Sequence, residues 1–174
     1  MTAELLARYR NSLPPFLSPY YAEPIQITHG EGGYVFDSEG TKYLDFFGGV
    51  LTTMVGHNNP AVTAAIQEQA GKVVHTSSLY LSEPMIEIAE KIAALSGIPD
   101  ARVFLTPSGT EANDAALLLA TSHRKSNQIL AMRNSYHGRS HSTQAITSHS
   151  SWAVNFNAVL RLYQINSAIF TFFI

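Results

Sequence analysis

The chain has 174 residues, of which 45% are apolar, 14% charged and 10% aromatic, a make-up that excludes wholesale disorder and suits one globular domain or a piece of a larger one. A net charge of −2 gives no electrostatic reason to expect nucleic acid, and the absence of cysteine removes disulfides, thiolate metal ligands and cysteine nucleophiles. No window holds the roughly 18 apolar residues of a membrane span, and Met1-Thr2-Ala3-Glu4-Leu5-Leu6 lacks the basic and long apolar regions of an export signal, so a soluble, cytoplasmic protein is expected.

In chain order, Leu5 to Leu13 has a short helical pattern ended by Pro14-Pro15. Ile25-Gln26-Ile27 and Tyr34-Val35-Phe36 read as strands, with Asp37-Ser38-Glu39-Gly40 turning the second into a returning strand at Lys42-Tyr43-Leu44-Asp45. Phe46-Phe47-Gly48-Gly49-Val50 follows as a loop whose paired glycines admit close approach of the backbone. Asn59-Pro60 is a capped helix start with a face at Val62, Ile66, Gln69 and Val73, and His57 just before it is read as serving a turn. Ser82 opens a further helix with a stripe at Met85, Ile88, Ile92 and Leu95, stopped by Gly97 and Pro99. Val103-Phe104-Leu105 and Ile129-Leu130-Ala131-Met132 suit strands buried on both faces, separated by a helix from Ser108 to about Lys125. That order predicts a βαβ unit and a parallel sheet.

Charge is distributed unevenly. All 13 acidic residues lie at or before Asp114, so residues 1–114 carry −7 and residues 115–174 carry +5. From Ser148 to Ile174 the single charge is Arg161, and the stretch has no sustained period of 3.6 or 2. Such an apolar, β-prone end is an aggregation hazard when exposed.

The segment Thr106-Pro107-Ser108-Gly109-Thr110-Glu111 carries the strongest chemical signal. It lies between the first buried strand and a helix, at the strand's carboxyl end, where open α/β sheets bind ligands. Ser108 and Glu111 form a capping box, and the free amides of Gly109 and Thr110, the helix dipole and two hydroxyls make an anion site suited to a phosphate. An ordinary capped helix would read the same way. Asn134-Ser135-Tyr136-His137-Gly138-Arg139 follows the second buried strand on the same sheet edge, and its aromatic and imidazole rings could stack on a planar heterocycle. A half-buried loop tyrosine is the plainer alternative. His29, His75, His123, His141 and His149 lack a metal-ligand pattern, so no metal site is expected. The surroundings of Ser108 do not form the elbow of a hydrolase nucleophile, and no nucleotide-binding P-loop is present.

Four motifs in register carry a resemblance: Gly33-Tyr34-Val35-Phe36-Asp37-Ser38-Glu39-Gly40 with Tyr43-Leu44-Asp45-Phe46, Gly56-His57-Asn58-Asn59-Pro60, Ser108-Gly109-Thr110-Glu111-Ala112-Asn113, and Ser135-Tyr136-His137-Gly138. From about Pro19 to about Ser148 the chain resembles the amino-terminal part of a class III, pyridoxal-phosphate-dependent aminotransferase of fold type I. Pro19-Tyr20-Tyr21 and Asp45-Phe46-Phe47-Gly48-Gly49 are most similar to the branch of mitochondrial-type alanine–glyoxylate aminotransferases. The resemblance implies an incomplete α/β fold: an amino-terminal segment with a hairpin at 1–56, part of the cofactor-binding large domain at 57–149, and a divergent apolar tail at 150–174. It also implies that Gly109 and Thr110 hold the cofactor phosphate with Ser108 shaping the turn, that Tyr136 stacks on the pyridine ring with His137 beside it, and that Tyr20, Gly49 and Val50 lie near substrate. Amino acid and 2-oxo acid substrates and a homodimer with composite active sites are implied as well; from charge and hydropathy, no nucleic acid or membrane partner is expected.

That chemistry needs a lysine to form a Schiff base and a carboxylate at the pyridine nitrogen, which in the family follow the Tyr-His-Gly motif. Here all four lysines (Lys42, Lys72, Lys91, Lys125) precede Tyr136, and no acid follows Asp114. The expectation is a transaminase by descent that is inactive alone. The family pattern is expected to fade past Ser148-His149, with a tail that reads as a frameshift or misplaced gene boundary. Two alternatives stand beside this: a non-catalytic short form that docks on a full-length subunit, and a family member with a changed reaction, such as an aminomutase or decarboxylase.

Overall fold

A computed structural model describes residues 2–17, 19–149, 152 and 161–165. The chain falls into two compact units, Met1–Tyr80 and Leu81–Ile174.

The first unit opens with α1 (Thr2–Ser12), closed by the hydrogen bond from the Leu13 amide to Tyr9, whose hydroxyl reaches on to the Leu17 carbonyl. A three-stranded antiparallel sheet follows in the order β1 (Ile27–Glu31), β2 (Tyr34–Asp37), β3 (Lys42–Leu44). Ile25 and Gln26, expected in the first strand, precede it. The ladder begins at Ile27 opposite Asp37 and slips by one residue before His29 meets Phe36. The β2–β3 turn is built by one side chain. Asp37 Oδ1 accepts the amides of Glu39 at 2.9 Å and Thr41 at 2.8 Å, its Oδ2 accepts the Tyr43 hydroxyl at 2.8 Å, and Gly40 takes a φ of +83°. This local bonding is what Asp offers a turn. The unit ends with α2 (Pro60–Lys72), where Asn59 caps the Ala61 and Val62 amides as its sequence requires.

The second unit contains α3 (Glu83–Ser96), α4 (Gly109–Arg124), β4 (Gln128–Met132), α5 (His141–Ile146) and β5 (Arg161–Ile165). Gly97 at φ +67° ends α3 and Lys125 at φ +50° ends α4, both in the left-handed cap conformation. Strand β4 pairs parallel with β5 in the register Gln128↔Arg161 through Met132↔Ile165.

Two expectations need correction here. Val103-Phe104-Leu105 forms no strand: among the described residues nothing pairs with it, and Phe104 stands exposed. An apolar run suited to burial on both faces becomes a strand only when neighbouring strands supply its ladder. The parallel pair therefore forms between β4 and β5 rather than around α4. The β-prone stretch after Ser148, which shows no sustained period in sequence, contains β5. Helix α5 had no apolar period to announce it.

Buried apolar side chains among the described residues are Ala131 and Ile146, and neither α2, α3 nor α4 buries a residue. The stripes at Val62 and Ile66 and at Met85, Ile88, Ile92 and Leu95 are thus helical as expected but face outward. No helix among the described residues is long and apolar enough to cross a membrane.

Candidate functional site

The start of α4 is set by Ser108, in extended backbone, whose Oγ accepts the Glu111 amide at 3.2 Å and donates to Glu111 Oε2 at 2.9 Å. The capping box is therefore closed hydroxyl-to-carboxylate. Gly109 and Thr110, the first two helical residues, have amides with no intrahelical acceptor. Nothing lies within 4 Å of where a Cβ on Gly109 would stand, so the helix start faces open space. Among the described residues the Thr110 hydroxyl has no hydrogen-bond partner. Free amides and the positive end of a 16-residue helix converge on that space.

The Tyr136–Arg139 loop is locked against this helix. Gly138 is buried at φ +133°, and a Cβ there would stand 2.5 Å from Thr110 Oγ1 and 2.8 Å from Thr143 Oγ1. Asn113, one turn into α4, donates from Nδ2 to the His137 carbonyl at 2.7 Å. The His137 amide donates to Thr147 Oγ1 at 3.0 Å. Ser140, the cap of α5, donates to Asp114 Oδ1 at 2.8 Å and lies 2.9 Å from the Thr143 hydroxyl. Thr143 is wholly buried and Thr147 nearly so.

Within this joint, the His137 Nε2 is buried with no hydrogen-bond partner among the described residues, and burial pushes its pKa below the usual histidine value. At neutral pH the ring is uncharged. Tyr136 is 47% exposed and meets Trp152 edge-on at 5.4 Å, while His149 stacks on the same indole at 4.2 Å. Ser108, Gly109, Thr110, Tyr136 and His137 are thus joined through one hydrogen-bonded joint. The residues that make it (Asn113, Asp114, Ser140, Thr143, Thr147) were not anticipated. A signal existed: hydroxyls at 140, 143 and 147 follow helical spacing.

Tyr20, Gly49 and Val50 belong to the first unit. Tyr20 and Val50 are exposed, and Gly48, Gly49, Val50 and Leu51 run through positive φ values of 54°, 56°, 55° and 72°. Asp45 anchors this turn. Its Oδ1 accepts the Phe47 and Gly48 amides at 2.9 and 3.0 Å, and its Oδ2 lies 2.8 Å from His57 Nε2. The Gly48 amide first, and the His57 ring second, hold the carboxyl below its ordinary range. His57 does more than serve a turn: its backbone exchanges two hydrogen bonds with Gly32, at 2.9 and 2.7 Å. A Cβ at Gly30 would collide with His57 at 2.7 Å, and one at Gly56 would crowd the Gly32 backbone at 3.2 Å.

Residues 18–170 match the family described as aminotransferase class-III. The chain belongs to that family. The aminotransferase pattern thus extends past Ser148-His149, through β5, which corrects the expectation that it fades there. Human mitochondrial alanine–glyoxylate aminotransferase 2 is 41% identical over 143 residues, covering 82% of this chain and 28% of that protein. An acetylornithine aminotransferase from Methanothermobacter thermautotrophicus is 37% identical over 140 residues, covering 80% of this chain and 35% of its own length. Among solved structures, ornithine aminotransferase from Toxoplasma gondii superposes with a TM-score of 0.81 at 24% identity, over 96% of this chain and 40% of that one. A phospholyase from Arthrobacter, in complex with phosphoethanolamine, gives 0.77 at 34% identity, over 93% and 37%. The aminotransferase chain described here spans about a third of the length of the curated relatives it matches.

The fold is fold type I, and class III aminotransferases depend on pyridoxal phosphate. The residues present fit that group: an open helix start with free amides for the phosphate, and an aromatic and a neutral imidazole on the loop pinned to the same helix.

Proposed function

We propose that this chain contributes the phosphate and ring side of a transaminase site, in a protein that moves an amino group from an amino acid or amine to a 2-oxo acid in the manner of alanine–glyoxylate aminotransferases. The observation that carries the reading is the Asn113–His137 hydrogen bond, which ties the loop carrying Tyr136 and His137 to the helix that presents Gly109 and Thr110.

In this reading the Gly109 and Thr110 amides and the Thr110 hydroxyl bind the phosphate, while Ser108 holds the turn that aims them. Tyr136 covers one face of the ring. His137, neutral through burial, fills the space beside it without adding charge. Pyridoxal phosphate, when bound, supplies the electron sink that lets a bond at the amino acid's α-carbon break heterolytically. Tyr20, Gly49 and Val50 line the substrate side, in a homodimer whose sites draw on two subunits. The Schiff-base lysine and the ring-nitrogen carboxylate are assigned outside this chain, because Lys42, Lys72, Lys91 and Lys125 all precede Tyr136 and no acid follows Asp114.

A chimera tests the assignment. Residues 18–148 replace the corresponding segment of human alanine–glyoxylate aminotransferase 2, and amino transfer to glyoxylate is followed. Transamination is expected to survive; a soluble, cofactor-loaded chimera without it would overturn the reading. The chain alone, mixed with pyridoxal phosphate and reduced with borohydride, should show no lysine modified to one equivalent by peptide mapping. A single lysine labelled to one equivalent would overturn the placement of the Schiff-base residue elsewhere.

A further inference from the structure

We infer that Asn113 and Thr147 are positioning residues that clamp the His137 peptide, and so set the height of Tyr136 and His137 above the helix start that takes the phosphate. The inference rests on the reading of Gly109 and Thr110 as the phosphate site.

Both polar groups of one peptide segment are fixed from opposite sides. The His137 carbonyl accepts Asn113 Nδ2 at 2.7 Å, and the His137 amide donates to Thr147 Oγ1 at 3.0 Å. The Thr147 hydroxyl cannot swing away, because its own proton is committed to the Thr143 carbonyl at 2.9 Å. Its lone pairs are left to face His137, as an acceptor should. Thr147 is 3% exposed and Thr143 0%, so water does not take the place of the Thr147 hydroxyl.

The clamp stands on the helix that would hold the ligand. Asn113 lies three residues past Thr110, about 4.5 Å along the axis of α4. Ser140 adds a second strut one residue further, through Asp114. Gly138 lacks a side chain where one would hold the loop off Thr110. In a phosphorylated planar heterocycle the ring and the phosphate are a fixed covalent distance apart. A loop held at one height above the phosphate donors favours ligands of that span, and a loop free to drift does not.

The full 174-residue chain, labelled with 15N, is titrated with inorganic phosphate and separately with pyridoxine 5′-phosphate, which carries ring and phosphate but no aldehyde to react with lysine. In the wild type both are expected to shift the Gly109 and Thr110 amides, the pyridoxine ester binding more tightly. Asn113→Ala and Thr147→Val should keep inorganic phosphate affinity within about twofold and lose about tenfold in the ring-dependent gain. Thr147→Ser, which keeps the hydroxyl, should restore it. A gain unchanged in both variants, a gain absent from the wild type, or an equal loss of both ligands (the mark of a merely structural role) overturns the inference while the phosphate site stands. A wild type whose Gly109 and Thr110 amides ignore phosphate overturns the phosphate reading itself, and the inference with it.

Discussion

Gly138→Ala is expected to detach the Tyr136–Arg139 loop from α4 and to cost about 3 kcal/mol in the second unit, the sum of overpacking and backbone strain. The new methyl would stand 2.5 Å from Thr110 Oγ1 and 2.8 Å from Thr143 Oγ1, and a fully buried Thr143 has nowhere to retreat. The backbone at φ +133° is a conformation L-residues rarely adopt, so relief by rotating the loop would break the bonds at His137. Two measurements report the outcome. Urea unfolding gives the loss of stability, and hydrogen exchange should show the His137 amide losing its protection while the α4 amides beyond Glu111 keep theirs. Gly71→Ala is the matched control: that glycine lies in α2, at ordinary helical φ, with nothing near its Cβ position. It should stabilise by about 0.5–1 kcal/mol. If Gly138→Ala leaves the His137 amide protected, the joint is looser than its geometry states.

What the sequence made legible, and what it did not, divides by range. Asn59-Pro60, Ser108, Gly97 and the Asp37–Gly40 turn act within a few residues, and each appears where its local chemistry demands. Val103-Phe104-Leu105 fails because a buried strand is a statement about neighbours, and among the described residues none pairs with it. The same reason explains why apolar stripes at Val62 and Ile66 and at Met85 and Ile88 are helical but exposed. At the candidate site the helix start at Ser108-Gly109-Thr110 could be read from caps and glycine alone. The joint that pins His137 could not, because Asn113, Ser140 and Thr147 lie 10 to 26 residues from the partners they bond. Asp45 and His57, 12 residues apart, were missed for the same reason.

Asp45→Ala is expected to collapse the left-handed turn that carries Gly49 and Val50. Positive φ at Val50 and Leu51 costs about 1–2 kcal/mol each, so the surroundings must over-determine it. The Thr52 hydroxyl on the Gly49 carbonyl at 2.6 Å and the Thr53 amide on Gly48 at 3.1 Å close the far side of the turn. The Val50 amide donates to the Phe47 carbonyl at 3.1 Å, and Asp45 closes the near side, with the Phe47 and Gly48 amides on one oxygen and His57 on the other. Without it, amide exchange at Phe47 and Gly48 should rise to loop rates, and the Cα shifts of Val50 and Leu51 should leave the left-handed range. The pH dependence follows with a definite sign. The folded pKa is lowered, so the carboxylate's contribution is complete above the unfolded value of about 3.9 and is lost as pH falls through the folded value. The turn should therefore persist at pH 5 and open only below the ordinary carboxylate range, and in Asp45→Ala this titration should vanish. His57→Ala should act more weakly, because the Phe47 and Gly48 amides keep their bonds to Asp45 Oδ1 when the ring is gone. An effect of His57→Ala as large as that of Asp45→Ala would reverse the order and make the imidazole, tied by its backbone to Gly32, the true anchor of the turn.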